Sequence, residues 1–285
     1  MVKIKKKAEV KNNMSSMETS NLTKEMLDQM FKEGKRFDGR GLLDMRDFEV
    51  ESDISNKAEG SARVRLGKTE VVVGVKLGLG EPYPDSPDEG NMMVSGDLLP
   101  MASPRFEQGP PKFDGIELPR LVDRAIRSAD LIQFDKLCIK KGEKVWTVFI
   151  DVYPINDDGA LVDAANIAAI VALKNAVMPG LDKDGNVDYK TRTKDKVPIE
   201  KDILPLSITF YKLGDSLILD PTREEEEACE AKVTWGISKW KDQYMMNSCQ
   251  KGWEETFSKE EVAEMMKIIP KKYEEVMKKL KKFLK

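Results

Sequence analysis

The chain has 285 residues, of which 40% are hydrophobic and 34% charged, with 47 basic against 50 acidic groups and no histidine. That length allows one large core or two modest ones at roughly 100–200 residues per domain. The net charge of −3 excludes a uniformly basic nucleic-acid binder and leaves local patches as the electrostatic route to RNA or DNA. Without imidazole there is no Ser-His or Cys-His nucleophile pair, no histidine base and no His-ligated metal centre. Chemistry would have to run on carboxylates, Lys, Arg or Tyr, and no metal or cofactor is expected. Cys138, Cys229 and Cys249 lie too far apart for a CxxC clip or a disulfide framework. No window approaches the ~20 apolar residues of a membrane span, and the lysine-rich start lacks the apolar stretch of a signal peptide. A cytoplasmic protein without membrane contact is therefore expected.

Residues 1–19 carry Lys3, Lys5, Lys6, Lys7 and Lys11 among polar residues. Such a segment cannot bury a core and is expected to be a mobile basic tail. From Ser20, the spacing of Leu22, Met26, Leu27, Met30 and Phe31 predicts a helix that stops at Gly34. "FEVESDI", "SARVRLG" and "TEVVVGVKLG" then read as strands of an antiparallel meander, with a hairpin turn at Gly67-Lys68. Two loops rich in Pro and Gly, "GEPYPDSPDEG" and "SPRFEQGPPKFDG", flank a further strand, "NMMVSGDLL".

In "IELPRLVDRAIRSADLI", residues Leu118, Leu121, Val122, Ala125, Ala129 and Ile132 fall on one helical face. At 100° per residue Arg120, Arg124 and Arg127 share a stripe roughly 60° wide on the opposite side. The strand at 145–152 and the helix at about 163–177 are apolar nearly all round and should be central. Residues 179–202 are polar and turn-rich, a natural boundary between a unit at 20–190 and a second at 191–285. The second unit holds a hairpin about Gly214-Asp215, an acidic turn at Glu224–Glu227 and strands near 231–238 and 243–249. It ends in a long helix capped by Ser258 with Glu261, whose lysine-rich end suits the helix dipole. The predicted class is α/β (α+β), with mixed sheets and helices in two halves.

Five phrases, in order, resemble the RNase PH-like subunits of the archaeal exosome: "GKRFDGR" (34–40), "EGSARVRLGKTEVVVGVK" (59–76), "GPP…IELPRLVDRAIR" (109–127), "DGALVDAANIAAIVALKNAVMP" (158–179) and "LILDPT" (217–222). The match covers about residues 20–270 and is most similar to the subunit regarded as catalytically silent. The resemblance implies a hexameric ring of three heterodimers with a catalytic sister subunit, RNA-binding cap subunits and single-stranded RNA as partners. It also implies 3′-to-5′ phosphorolysis, in which inorganic phosphate attacks the terminal linkage.

Active members carry a Gly-Ser/Thr-Arg triplet at the turn before the central helix, and the corresponding positions here are Ala160, Leu161 and Val162. Leu and Val can neither donate to phosphate nor balance its charge. Active members place paired arginines in the loop before the long helix, where this chain has Phe113 and Asp114. Their essential aspartate falls on or beside Glu226. No catalytic residue is expected, and Glu224–Glu227 reads as a solvated acidic turn. RNA contact is assigned to Arg120 and Arg124, with Arg127 sharing their stripe; the bland alternative is surface ion pairs to Asp123 or Glu117. The arginines of "RFDGR", Arg36 and Arg40, are expected in subunit or intrachain ion pairs around an Asp-Gly turn. Obligate assembly is expected because the apolar central helix and open sheet edges would otherwise expose apolar surface.

Overall fold

The computed structural model describes residues 19–284; the expected basic tail lies almost wholly outside them. The first helix, α1 (Asn21–Lys32), begins where the Ser20 hydroxyl accepts from the Thr23 N–H and gives way to Gly34 in left-handed backbone. Only Leu27 and Phe31 of its five predicted core residues are buried; Leu22 and Met26 face outward. The helix docks on a small apolar cluster through one narrow edge, and that edge reaches just two of the five.

Strands β1 (Phe48–Ser52), β2 (Gly60–Leu66) and β3 (Thr69–Gly80) form the expected antiparallel meander, with Leu66 opposite Thr69 across the Gly67-Lys68 turn. β4 (Asn91–Gly96) runs parallel to the long β6 (Lys144–Asn156), and the short β5 (Cys138–Lys140) also pairs with β6. These strands make a mixed six-stranded sheet. Between β4 and β5 lies α2 (Phe113–Arg127). All six predicted core residues of that stretch, Leu118 to Ile132, are buried, yet the helix starts three residues before the expected Ile116 because Phe113, Asp114 and Gly115 complete a first turn.

The central helix α3 (Leu161–Asn175) is buried from Leu161 to Leu173. It packs against β2, β3 and β6 on one side and, on the other, β9 (Leu206–Leu213), the inner strand of the second half. Gly60 permits the close approach on the first side, since a Cβ there would overlap the Ala172 carbonyl. One apolar core therefore runs through both halves. This corrects one premise for assembly: α3 is buried within the chain and leaves no surface to hide.

The polar stretch 179–202 carries most of a hairpin, β7 (Val177–Leu181) and β8 (Val187–Lys196). A four-stranded antiparallel sheet follows, ordered β10-β9-β11-β12, with β10 (Ser216–Leu219), β11 (Ala231–Trp240) and β12 (Gln243–Gly252). Gly214-Asp215 turns the β9–β10 hairpin as expected. The run Glu224–Glu227 is a correction: it lies in a short helix, α4 (Arg223–Ala228), with Glu225 and Glu226 buried. The chain ends in α5 (Lys259–Leu280), which carries the expected Ser258/Glu261 capping box.

The junction of α3 with β9 depends on Asp163, buried and accepting from the Thr209 hydroxyl at 2.7 Å and the Thr209 N–H at 3.2 Å. Burial raises its pKa from 3.8 to about 7 despite those two donors, and the charges of Asp220 and Glu226 push the same way. The folded state thus holds a proton that the unfolded chain gives up near pH 4. Stability from that proton is complete below the unfolded value and is lost as pH rises through about 7. Asp163→Asn should cancel this dependence. The stability difference between parent and variant should change by up to about 1.4 kcal/mol per pH unit between pH 4 and 7, in favour of the variant at the alkaline end. Urea midpoints at pH 5 and pH 8 measure it; a constant difference would mean that Asp163 does not titrate in this range.

Candidate functional site

The turn before α3 is fixed from three sides. Gly159 has φ 81°, and a Cβ there would run into the Pro221 carbonyl, so only glycine lets this turn lie against residues 221–222. The Thr69 hydroxyl donates to the Gly159 carbonyl at 2.7 Å. From the side of the "RFDGR" loop, Arg46 reaches the Asp158 carbonyl at 2.9 Å and places Nη2 against Asp220 at 2.5 Å.

Asp220 is fully buried, with φ 48°. Its carboxylate also accepts from the Arg46 backbone N–H at 2.6 Å and from Arg40 Nη1 at 3.0 Å. Arg36, equally buried, donates to the Leu219 and Asp220 carbonyls and to both carboxylate oxygens of Glu225. The "RFDGR" arginines thus make intrachain ion pairs, one of the two readings of that phrase. Arg40 also pairs with Asp38 at 2.7 Å across the Asp-Gly turn.

At the head of α3, Ala160 is the cap residue, in left-handed backbone and without a side chain to cap the helix. Its N–H donates instead to Glu226 Oε2 at 2.8 Å. The same carboxylate accepts from the Tyr211 hydroxyl at 3.3 Å, and its other oxygen lies 3.4 Å from Arg105 Nη2. Arg105 is held in turn by Asp157 at 2.7 Å. The positive end of the central helix, where a free N–H group suits an anion, is therefore occupied by the chain's own Glu226.

Leu161 and Val162, next along, are buried in apolar contacts. Burial works against the charged form of Glu226, but Arg105, then Lys232 and the Ala160 N–H, outweigh it and hold its pKa below the usual carboxylate range. Burial and the charge of Glu226 push Asp157 the opposite way, upward, against the pull of Arg105. One guanidinium serves two carboxylates, Asp157 at 2.7 Å and Glu226 at 3.4 Å. A phosphate entering here would meet two carboxylates and an arginine already engaged by both.

The three sequence-predicted arginines lie elsewhere, together on the exposed face of α2. Arg120 has no hydrogen-bond or ion-pair partner among the described residues. Arg124 donates to the Gln250 side chain on β12. Arg127 is the most engaged, bound to Asp123 at 2.7 and 3.1 Å and to the Met92 carbonyl at 3.1 Å; the Asp123 bond, opposed by partial burial, raises its pKa. Of the two ion-pair partners considered, Asp123 does pair, with Arg127, whereas Glu117 is buried against Lys232 at 2.6 Å. That bond anchors α2 to β11. Phe113, 66% exposed, and Ile116, 49% exposed, extend the arginine face toward the helix start, since seven and four residues before Arg120 return to within about 40° of it.

Sequence reasoning missed Arg105, Arg46 and Asp220 as site-formers. An arginine beside an aromatic in a loop of prolines and glycines was the available hint for Arg105. The partners that give it meaning come from segments more than fifty residues away.

With this geometry in place the comparisons are direct. The pattern described as "3' exoribonuclease family, domain 1" matches residues 44–179, and that described as "3' exoribonuclease family, domain 2" matches residues 204–268. The chain belongs to this family, the RNase PH family, and its mixed α/β architecture is RNase PH-like. Relatives include the exosome complex component Rrp42 of Methanosarcina acetivorans, 46% identical over 213 residues, covering 75% of this chain and 77% of the relative. The Rrp42 component of Methanothermobacter thermautotrophicus is 37% identical over 262 residues, covering 92% and 95%. Among solved structures, a chain of the Archaeoglobus fulgidus exosome with RNA bound to the active site superposes with a TM-score of 0.79 at 39% identity, covering 87% of this chain and 93% of that one. A chain of an archaeal exosome core does so with a TM-score of 0.75 at 34% identity, covering 87% and 92%.

The buried salt-bridge centre should dominate stability. Replacing Asp220 with Ala would strand two guanidinium groups away from solvent, at a cost of roughly 3–5 kcal/mol. Asp220→Asn, which keeps the shape and loses the charge, should fall between Ala and the parent. Chemical denaturation of the three proteins gives the order, and an Ala variant within 1 kcal/mol of the parent, set against that estimate of roughly 3–5, would remove Asp220 from its central place.

Proposed function

We propose that this chain is a non-catalytic, RNA-contacting structural subunit of an archaeal-exosome-type ring, a hexameric 3′-to-5′ phosphorolytic exoribonuclease whose catalytic partner subunit requires it for activity. The observation that carries the reading is the Glu226 carboxylate on the Ala160 N–H at 2.8 Å. Phosphorolysis needs inorganic phosphate held at this helix terminus by a hydroxyl, a guanidinium and backbone N–H groups. Here Ala160, Leu161 and Val162 offer no side-chain donor, Arg105 is held by two carboxylates, and the remaining anion site is filled from within.

The alternative of an enzyme active by itself through Glu226 is disfavoured by the same contacts. A general base must reach a substrate proton, and this carboxylate already accepts from Ala160, Tyr211 and Arg105. A purely architectural subunit is disfavoured by α2. Its face carries Arg120 with no partner, Arg124 and Arg127 beside it and the exposed Phe113 at its head, a combination of guanidinium and aromatic groups suited to the phosphates and bases of single-stranded RNA. The partners are the catalytic RNase PH-like sister subunit, the RNA-binding cap subunits and single-stranded RNA. No helix among the described residues is long and apolar enough to cross a membrane, and we place the protein in the cytoplasm with the ring. Residues 20–190 and 191–285 correspond to the two RNase PH-like halves in this reading.

The isolated chain should release no nucleoside diphosphates from single-stranded RNA and phosphate, and addition of the sister subunit should produce them together with a ring of three heterodimers. Phosphate-dependent trimming by the homogeneous chain, abolished by Glu226→Gln, would instead establish an enzyme. For the arginines, Arg120→Ala/Arg124→Ala should leave ring mass unchanged. The same variant should weaken RNA binding and lower the slope of log affinity against log salt by about 1.4 in magnitude, the counterion release of two single-strand contacts. Charge reversal to Glu should be worse than Ala. An intact ring with unaltered affinity and trimming would leave these arginines as a solvated face and the subunit as architecture.

A further inference from the structure

Between the loop that follows the "RFDGR" turn and the end of α5 lies a groove of about 610 Å³, apart from the α2 arginine face and joined to the turn before α3 through Arg46, which lines it and reaches the Asp158 carbonyl. Its apolar part is Met45, Phe48 and Val276, of which Phe48 and Val276 are buried. Its rim is basic. Lys272 and Lys279 are paired, with Glu275 at 2.8 Å and with Asp47 respectively. Lys278 and Lys282 also line the groove, are exposed, and have no ion-pair partner among the described residues. In the wall, Arg40 keeps guanidinium Nη2 shielded from solvent and without a hydrogen-bond partner. The acidic groups facing in are Asp44 and Glu275, and Glu275 already holds Lys272.

Helix-dipole complementarity accounts for cations in the last turn of α5, but it does not call for a groove with an apolar floor beneath them. The volume is within the range of small-ligand sites, which combine mostly apolar walls with a few placed polar groups. Two free ammonium groups at the rim call for an anion with several oxygens, and the floor calls for a flat apolar body attached to it. We propose that this groove binds a phosphorylated nucleoside, its phosphate oxygens on Lys278 and Lys282 and its base over Met45, Phe48 and Val276. A free nucleoside diphosphate and the phosphorylated end of an RNA strand share this chemistry. The assignment goes beyond the proposed ring function and does not rest on it, because it concerns different residues on a different face.

The experiment uses the full chain, with ADP, a 5′-phosphorylated oligoadenylate, adenosine and inorganic phosphate as probes in calorimetric titrations. The variants are Lys278→Glu/Lys282→Glu, Lys278→Gln/Lys282→Gln, Arg120→Ala/Arg124→Ala, and this arginine variant with Lys278→Glu/Lys282→Glu added. ADP should bind the parent and the arginine variant alike. Affinity should fall roughly tenfold or more with Lys278→Glu/Lys282→Glu, the factor expected when about 1.4 kcal/mol is lost, and by less with the Gln pair, while the thermal midpoint stays that of the parent. The Gln pair serves as the readout should the Glu pair not fold. Adenosine and inorganic phosphate should each bind more weakly than ADP, since each has half of the recognised chemistry. Binding of the oligoadenylate in the arginine variant, lost on lysine reversal, would assign the RNA end as occupant; binding of ADP alone would assign the free nucleotide. The proposal is overturned if neither phosphorylated probe binds, if lysine reversal leaves ADP affinity unchanged, or if inorganic phosphate binds as tightly as ADP.

Discussion

The Asp220 carboxylate, buried in left-handed backbone, holds two guanidinium groups and one backbone N–H, and much of the molecule is positioned through it. Two arginines drawn from one loop can be buried only where a full negative charge with correctly placed oxygens meets them. Asp220 meets that condition at the end of β10. Arg46 then carries the constraint to Asp158 and Gly159. Arg36 carries it to Glu225 in the first turn of α4. The loop from the first helix, the head of the central helix and the short acidic helix are thereby locked to one another. Neighbouring positions on α4 consequently have fixed directions: Glu225 faces Arg36, and Glu226, the next residue, faces the Ala160 N–H.

A helix terminus pointing into a protein interior needs a negative partner, because its unpaired N–H groups are costly to bury and its dipole is positive there. In a phosphorolytic site the substrate anion satisfies that need for part of each cycle. Here Glu226 satisfies it permanently, with Tyr211 and Arg105 fixing the carboxylate. The extra methylene of Glu over Asp lets the carboxylate reach the helix terminus from α4. The fold therefore has no electrostatic gap at this terminus. The scaffold's need for an anion is met from within the chain, and the central helix keeps its place while Leu161 and Val162 join the core.

Where local pattern and tertiary contact agree, the sequence was readable. The apolar face of α2, the all-apolar α3, the turns at Gly67-Lys68 and Gly214-Asp215, and the Ser258/Glu261 cap depend on residues within a few positions of one another. The acidic run was misread because four consecutive glutamates have the composition of a solvated turn, and their burial is decided by Arg36 and Arg105, 189 and 121 residues away. Leu22 and Met26 misled for the opposite reason: helical spacing was correct, but α1 docks on one small cluster, so these two of its five apolar residues stay outside. Phe113 was assigned to a loop since Gly115 and the prolines before it are turn residues, and this concealed its place at the head of the arginine face.

Burial also separates the arginines by role. Arg36, Arg46 and Arg105 each face a carboxylate within the chain, and their charge is consumed by the fold. Arg120 stands on a helix held rigidly from beneath by the Glu117–Lys232 bond at 2.6 Å, with nothing opposite its guanidinium among the described residues. A flexible exposed arginine costs entropy when it is fixed on a ligand, whereas one on an anchored helix with its neighbour Arg124 already tethered to Gln250 loses less. The same chain therefore sets Arg36, Arg46 and Arg105 against carboxylates inside the fold, pairs Arg127 with Asp123 at the surface, and leaves Arg120 without a partner among the described residues. In the proposed ring, that division of charge suits a subunit that guides RNA toward a neighbour's reaction centre.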